Sequence, residues 1–200
     1  NGRASTYSEL GDFAKAIDDY QKIILVIPNH ASALNGLGVV MARISNFEEA
    51  KKYIKKAIEI MPNNNKYYFN LGKVYFDASE LSESLEAYDK CIALNSTNLE
   101  ALNGKGLLFL KLRRFSEAEH MFNLALTADE NSYDTYNNFG TFYNIIHNYE
   151  MAINCYLKAF EINSNFFQAC NNIGLIYKNL NKFEEAIIWF DRALKINPEF

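Results

Sequence analysis

Apolar residues return along the chain at the spacing of an amphipathic helix. One series begins at Leu34 and continues through Leu37 and Met41, and a second runs from Phe47 to Ile54. Steps of three and four residues place such side chains on one face of a helix. The pattern therefore predicts a pair of helices that pack together through their apolar faces.

Polar segments and prolines mark the ends of these helices. The segments inside a helix pair are Gly11-Asp12, Ser45-Asn46, Ser79-Glu80, His147-Asn148 and Asn181-Lys182. Such residues suit a helix C-terminus followed by an N-cap. Between pairs stand Pro28, Pro62 and Pro198, where the missing N–H of proline stops a helix.

The helix pair repeats every 34 residues. Glycine recurs at Gly38, Gly72, Gly106, Gly140 and Gly174. Sixteen residues after each glycine stands a large side chain, in the order Ile54, Tyr88, Phe122, Tyr156 and Phe190. The register predicts an all-α fold of about twelve antiparallel helices in six repeats, 1–30 (lacking its first four residues), 31–64, 65–98, 99–132, 133–166 and 167–200.

This register resembles the tetratricopeptide repeat, a 34-residue helix-turn-helix unit with large, small and aromatic residues at the same offsets. Ser96, Glu130 and Ser164 depart from the family pattern where a final proline is usual, and Cys170 takes a position that usually holds another large residue. The resemblance implies a right-handed superhelix in which the first helix of each repeat lines a concave groove. Partners of solenoid proteins bind on such concave surfaces.

Helical geometry and the resemblance together identify groove residues at positions 5, 9, 12 and 13 of each repeat. The predicted partner-binding residues are Asn35, Val39, Arg43, Phe69, Lys73, Phe76, Asn103, Leu107, Leu110, Lys111, Asn137, Thr141, Asn144, Asn171, Leu175 and Lys178. Of these, Val39, Phe69, Phe76, Leu107 and Leu110 could anchor an apolar side chain of a partner or pack between successive first helices. The sequence leaves both alternatives open.

Asparagine is concentrated at positions 5 and 6 of the repeats. The chain has 25 asparagines among 200 residues, yet they fill eight of these twelve places. A side-chain amide both donates and accepts, so a row of asparagines could hold a peptide backbone whatever its sequence. The row partly resembles the asparagine-lined repeats of O-GlcNAc transferases, which Asn70, Asn138 and Asn172 match and Gly2, Gly36 and Gly104 do not. The alternative is that the enrichment reflects a generally asparagine-rich composition.

Composition narrows the function further. The net charge is −4 with no basic run longer than two residues, so we expect no nucleic-acid partner. The longest apolar runs are five residues, and we expect no membrane insertion. Three widely spaced cysteines and three dispersed histidines predict neither a disulfide framework nor a metal, cofactor or catalytic site. We expect an intracellular, cytoplasmic protein.

These observations predict a non-catalytic scaffold that binds a protein or an extended peptide in its groove. The alternative function is the substrate-recruiting arm of a larger enzyme, such as a protein glycosyltransferase, whose catalytic domain lies outside this chain. Because the first repeat begins inside a helix and the last lacks a capping helix, we expect a piece of a longer array. The uncapped ends predict self-association.

Overall fold

A computed structural model describes residues 1–199; Phe200, the last residue of the predicted sixth repeat, lies outside the described residues. The helices are α1 (Gly2–Glu9), α2 (Phe13–Val26), α3 (Ala31–Arg43), α4 (Phe47–Ile60), α5 (Asn65–Asp77), α6 (Leu81–Leu94), α7 (Leu99–Lys111), α8 (Phe115–Ala128), α9 (Tyr133–Ile145), α10 (Tyr149–Ile162), α11 (Phe167–Asn179) and α12 (Phe183–Ile196). No strand occurs among residues 1–199. The all-α prediction is confirmed, and the predicted polar segments and prolines all lie outside the helices, with Pro198 following α12.

Each turn inside a helix pair ends the first helix, and in the pairs α1–α2, α3–α4 and α9–α10 a side chain of the turn also caps the second helix. After α3, the Ser45 N–H donates to the Ala42 carbonyl and the Asn46 N–H donates to the Met41 carbonyl. This is the Schellman arrangement, and Ser45 accordingly has a positive φ of 61°. The Asn46 side chain then accepts the Glu49 N–H at the start of α4. One short turn therefore satisfies both helix ends and reverses the chain.

The chain divides into two compact units, Asn1–Gly104 and Lys105–Phe200, which we call the N-terminal and C-terminal halves. In the N-terminal half, buried residues of α1, α2 and α3 form one apolar cluster, and residues of α3 to α6 form a second. In the C-terminal half, buried residues of α10 and α11 form a third cluster, and partly buried residues of α9 and α12 pack against it. Within each half, a second helix packs both on its own first helix and on the first helix of the following pair.

Glycine allows the two helices to lie close together in the pairs from α3–α4 to α11–α12. A Cβ atom at Gly38 would lie 2.5 Å from Cγ1 of Ile54 and 3.0 Å from the Ala50 carbonyl oxygen. At Gly106 the corresponding distance to the Phe122 ring would be 2.5 Å. Because no side chain fits in this space, the backbone of the first helix lies directly against the second helix. The opposite face of the first helix points away from the second helix of the pair.

We expect the Gly38→Ala substitution to lower the free energy of unfolding by about 1–2 kcal/mol, because overpacking against Ile54 and the Ala50 carbonyl outweighs the better helix propensity of alanine. Chemical denaturation checks this. The control is Gly2→Ala, where a Cβ meets nothing within 4 Å and stability should not fall. Equal stability of the Gly38 variant and the wild type would contradict the close-packing role.

Candidate partner-binding surface

The first helices of the N-terminal half line a cavity of about 390 Å³. Three of the predicted residues, Asn35, Val39 and Arg43, line it and all belong to α3. The cavity therefore lies on the face where the sequence predicts partner binding.

The other lining residues were not among the predicted partner-binding residues. They include Ser5 on α1, Gly36 on α3 and Tyr20 on α2. Tyr20 was missed because it stands on a second helix, at a position that the repeat pattern assigns to the core. It does belong to the core, with only 5% of its surface exposed, yet it also borders the cavity.

Two of the predicted asparagines are hydrogen-bonded to asparagines of the next repeat. In the N-terminal half, Nδ2 of Asn70 donates to Oδ1 of Asn35 at 2.9 Å. In the C-terminal half, Nδ2 of Asn172 donates to Oδ1 of Asn137 at 3.0 Å. Both bonds join position 5 of one repeat to position 6 of the next. Each pair keeps one amide nitrogen and one amide oxygen that the pairing does not use.

The predicted partner-binding residues differ in how much surface they offer. Five are exposed, namely Arg43, Lys73, Lys111, Leu175 and Lys178. Eight are half-buried, namely Val39, Phe69, Phe76, Leu107, Asn137, Thr141, Asn144 and Asn171. Three are buried, with 8% of Asn35, 8% of Asn103 and 7% of Leu110 exposed. Leu110 therefore serves mainly in packing, because a helix position that faces the groove by spacing can still be covered by its neighbours.

Intramolecular contacts also engage several predicted residues. The Phe69 ring packs against Tyr88 with 6.3 Å between ring centroids. Nη1 of Arg43 donates to the backbone carbonyl of Ser8 at 2.6 Å, at the C-terminal end of α1. Lys73 forms an ion pair of 3.1 Å with Asp77 on the same helix. The aromatic and charged residues thus already contribute to helix packing and helix termination, whereas the asparagine pairs retain unused amide groups.

Burial makes the cysteines poor nucleophiles. Cys91, Cys155 and Cys170 are all buried and free of disulfides. Burial raises the pKa of the Cys91 and Cys155 thiols to about 11, and it also raises the pKa of Cys170. The thiolate is the reactive form, so these thiols stay protonated and inert near neutral pH.

The histidines and carboxylates do not converge. His30 caps α3, its Nδ1 accepting the Ala33 N–H at 3.2 Å, and His147 contacts Tyr149 in the turn before α10. No cluster of three His, Cys, Asp or Glu side chains suited to a metal ion occurs within residues 1–199. In the same range, none of the helices combines the length and apolar character that a membrane span requires.

We expect the three thiols of the folded protein to react with an aromatic disulfide reagent at pH 8 far more slowly than those of the unfolded chain. A pKa that rises from 9 to about 11 cuts the thiolate fraction roughly a hundredfold. Absorbance of the released thiol, with and without denaturant, measures the two rates. Cys91→Ala identifies the contribution of Cys91. Rapid labelling of all three thiols in the native protein is incompatible with their burial.

Solved structures share this fold at low sequence identity. The Cut9–Hcn1 hetero-tetramer of the APC/C gives a TM-score of 0.81 at 19% identity, over 97% of this chain and 39% of that one. PilF of Pseudomonas aeruginosa gives 0.77 at 15% identity, over 100% and 90% of the two chains. YrrB, titled a TPR protein with an unusual peptide-binding site, gives 0.58 at 20% identity, over 90% and 93%. At these identities the likeness establishes the fold, an α-α solenoid.

No curated protein matches the sequence. Models described as tetratricopeptide repeat match residues 1–63, 69–133, 133–166 and 167–200. These matches cover nearly the whole chain, and they agree with the helix pairs seen in both halves. The chain therefore belongs to the tetratricopeptide repeat family.

Proposed function

We propose that this chain is a non-catalytic interaction module that binds an extended peptide segment of a protein partner along its first helices. The asparagine pairs Asn35–Asn70 and Asn137–Asn172 contact the peptide backbone. Residues on either side, among them Val39 and Lys178, contact its side chains. The proposal applies to each half of the chain separately.

The observation that carries the proposal is the hydrogen bond between the two asparagines of each pair. The bond fixes the orientation of both amides, so that neither has to be ordered when a partner binds. The unused nitrogen of one amide and the unused oxygen of the other match the carbonyl and N–H of a peptide unit. Such a contact reads the backbone and tolerates different side chains.

Chemistry elsewhere in the molecule favours binding over catalysis. The cysteines are protonated and buried, and the histidines stand apart from one another. Catalysis needs convergent groups with matched pKa values, whereas peptide binding needs only a preformed polar and apolar surface. The peptide-binding site named for YrrB and the assembly named for Cut9–Hcn1 are relevant precedents on the same fold.

The first test asks whether the pairs read a peptide backbone. The probe is a 12-residue peptide selected from a random display library on the whole chain, with its site located by amide hydrogen exchange. We expect protection of α3 and α5, or of α9 and α11. Methylation of individual peptide nitrogens should weaken binding more than alanine substitution of most peptide side chains. A library that yields only binders to the second helices would contradict the proposal.

We expect Asn70→Ala to weaken binding of a probe on the N-terminal half about three- to tenfold, and Asn172→Ala to do the same on the C-terminal half. Each substitution removes one backbone contact and releases the partner asparagine from its fixed orientation. Calorimetric titration measures the affinities. The matched control is Asn154→Ala on the exposed face of α10, which should leave them unchanged. Unchanged binding by the Asn70 and Asn172 variants would remove the pairs from the site.

A further inference from the structure

The side chain of Tyr20 on α2 lies against α3 at Gly36, where α3 has no side chain. A Cβ atom on Gly36 would lie 2.5 Å from Cζ and 2.7 Å from the hydroxyl oxygen of Tyr20. The end of the phenol ring therefore fills the volume into which a side chain at position 36 would project. Tyr20 and Gly36 both line the cavity of the N-terminal half.

Three other repeats carry asparagine where Gly36 has no side chain, whereas Gly104 of the fourth repeat lies over Tyr88 as Gly36 lies over Tyr20. Position 6 is Asn70 in the next repeat and Asn172 in the last one. Both donate Nδ2 to an asparagine at position 5 of the repeat before. At Gly36 a donor and acceptor is also present, but it is the hydroxyl of Tyr20, which comes from α2 rather than from α3 itself.

Tyr156 provides a matched comparison in the C-terminal half. It stands at the same repeat position as Tyr20, and its hydroxyl lies 3.2 Å from the hydroxyl of Thr141. Ser5 is the residue equivalent to Thr141, but its hydroxyl donates to Oε1 of Glu9 at 3.4 Å. The two sites also differ at position 6, where the glycine above Tyr20 is replaced by Asn172 above Tyr156. Ser5, Tyr20 and Gly36 all line the cavity of the N-terminal half.

We propose that the Tyr20 hydroxyl is a partner-contacting group of the N-terminal half and hydrogen-bonds to a backbone group of a peptide in the cavity. It takes the role that the side-chain amides of Asn70 and Asn172 have at position 6 of their repeats. This inference rests on the proposed peptide-binding function and adds a second helix to the contact surface. A phenol hydroxyl donates one hydrogen bond and accepts others, so it suits a peptide carbonyl or N–H.

The surroundings of Tyr20 support this role. Its ring is buried in the apolar cluster of α1, α2 and α3, which holds the hydroxyl in a fixed place at the edge of the cavity. Burial also raises the pKa of the phenol, so the hydroxyl remains neutral and able to donate. The cavity adds the amides of Asn35 and Asn70 next to Gly36, so hydroxyl and amide groups line it together.

Tyr20→Phe tests the inference because it removes one oxygen atom and keeps the ring. With a display-selected 12-residue peptide that protects α3 and α5, we expect about three- to tenfold weaker binding and an unchanged unfolding midpoint. Tyr156→Phe, the matched control, removes the same atom beneath Asn172 and should leave unchanged the affinity of a display-selected peptide that protects α9 and α11. Methylation of one peptide nitrogen, or replacement of one peptide amide by an ester, should weaken binding less in Tyr20→Phe than in the wild type. The reason is that the change in the peptide and the change in the protein remove the same hydrogen bond.

The outcomes separate this inference from the proposed function. Full affinity in Tyr20→Phe, with weakened binding in Asn70→Ala, would overturn the role of Tyr20 and leave the asparagine pairs in place. Full affinity in both variants would overturn both. Equal losses of peptide affinity in Tyr20→Phe and Tyr156→Phe would also count against the inference. The presence of glycine rather than asparagine at position 6 would then make no difference to binding.

Discussion

In five of the six helix pairs that the structure describes, the backbone of the first helix lies against a side chain of the second helix at one glycine. At Gly38, Gly72, Gly106, Gly140 and Gly174 the space for a Cβ is already taken by Ile54, Tyr88, Phe122, Tyr156 or Phe190. This contact sets the distance between the two helices and determines which face of the first helix packs against the second. The remaining side of the first helix is then free to form a binding surface, so the site depends on a contact that lies beneath it.

A second consequence of this packing is that the inner surface is built from parts of two repeats. The Asn35–Asn70 bond joins two first helices, and Tyr20 reaches the cavity from the second helix of the preceding pair. Buried polar groups are costly unless they are hydrogen-bonded. Asn35, with 8% of its surface exposed, meets this requirement through Asn70. The Asn70 amide, which we propose contacts a partner, therefore also stabilises the fold by satisfying the buried oxygen of Asn35.

Helix spacing and end signals allowed the fold to be predicted in some detail. Apolar residues such as Leu34 and Leu37 indicate the buried face, and Ser45-Asn46 marks a turn that the structure confirms. The site was harder to predict because periodicity gives the face of a residue but not its hydrogen-bond partners. The Asn35–Asn70 bond, the burial of Leu110 and the position of Tyr20 all depend on the identity of neighbouring residues. The sequence contains both Tyr20 and Gly36, but only the folded structure shows that the Tyr20 ring occupies the space beside Gly36.

The bond between asparagines of successive repeats has an implication for how such a chain can change in length. Each bond links residues 35 positions apart, one repeat length plus one residue. It requires asparagine at position 5 of one repeat and position 6 of the next, and nothing from more distant repeats. Duplication or loss of one whole repeat in the gene would therefore change only the bonds at the junctions of that repeat and leave the others intact. Under the proposed function, duplication of a repeat that has asparagine at both positions would lengthen the peptide-contacting surface by one pair.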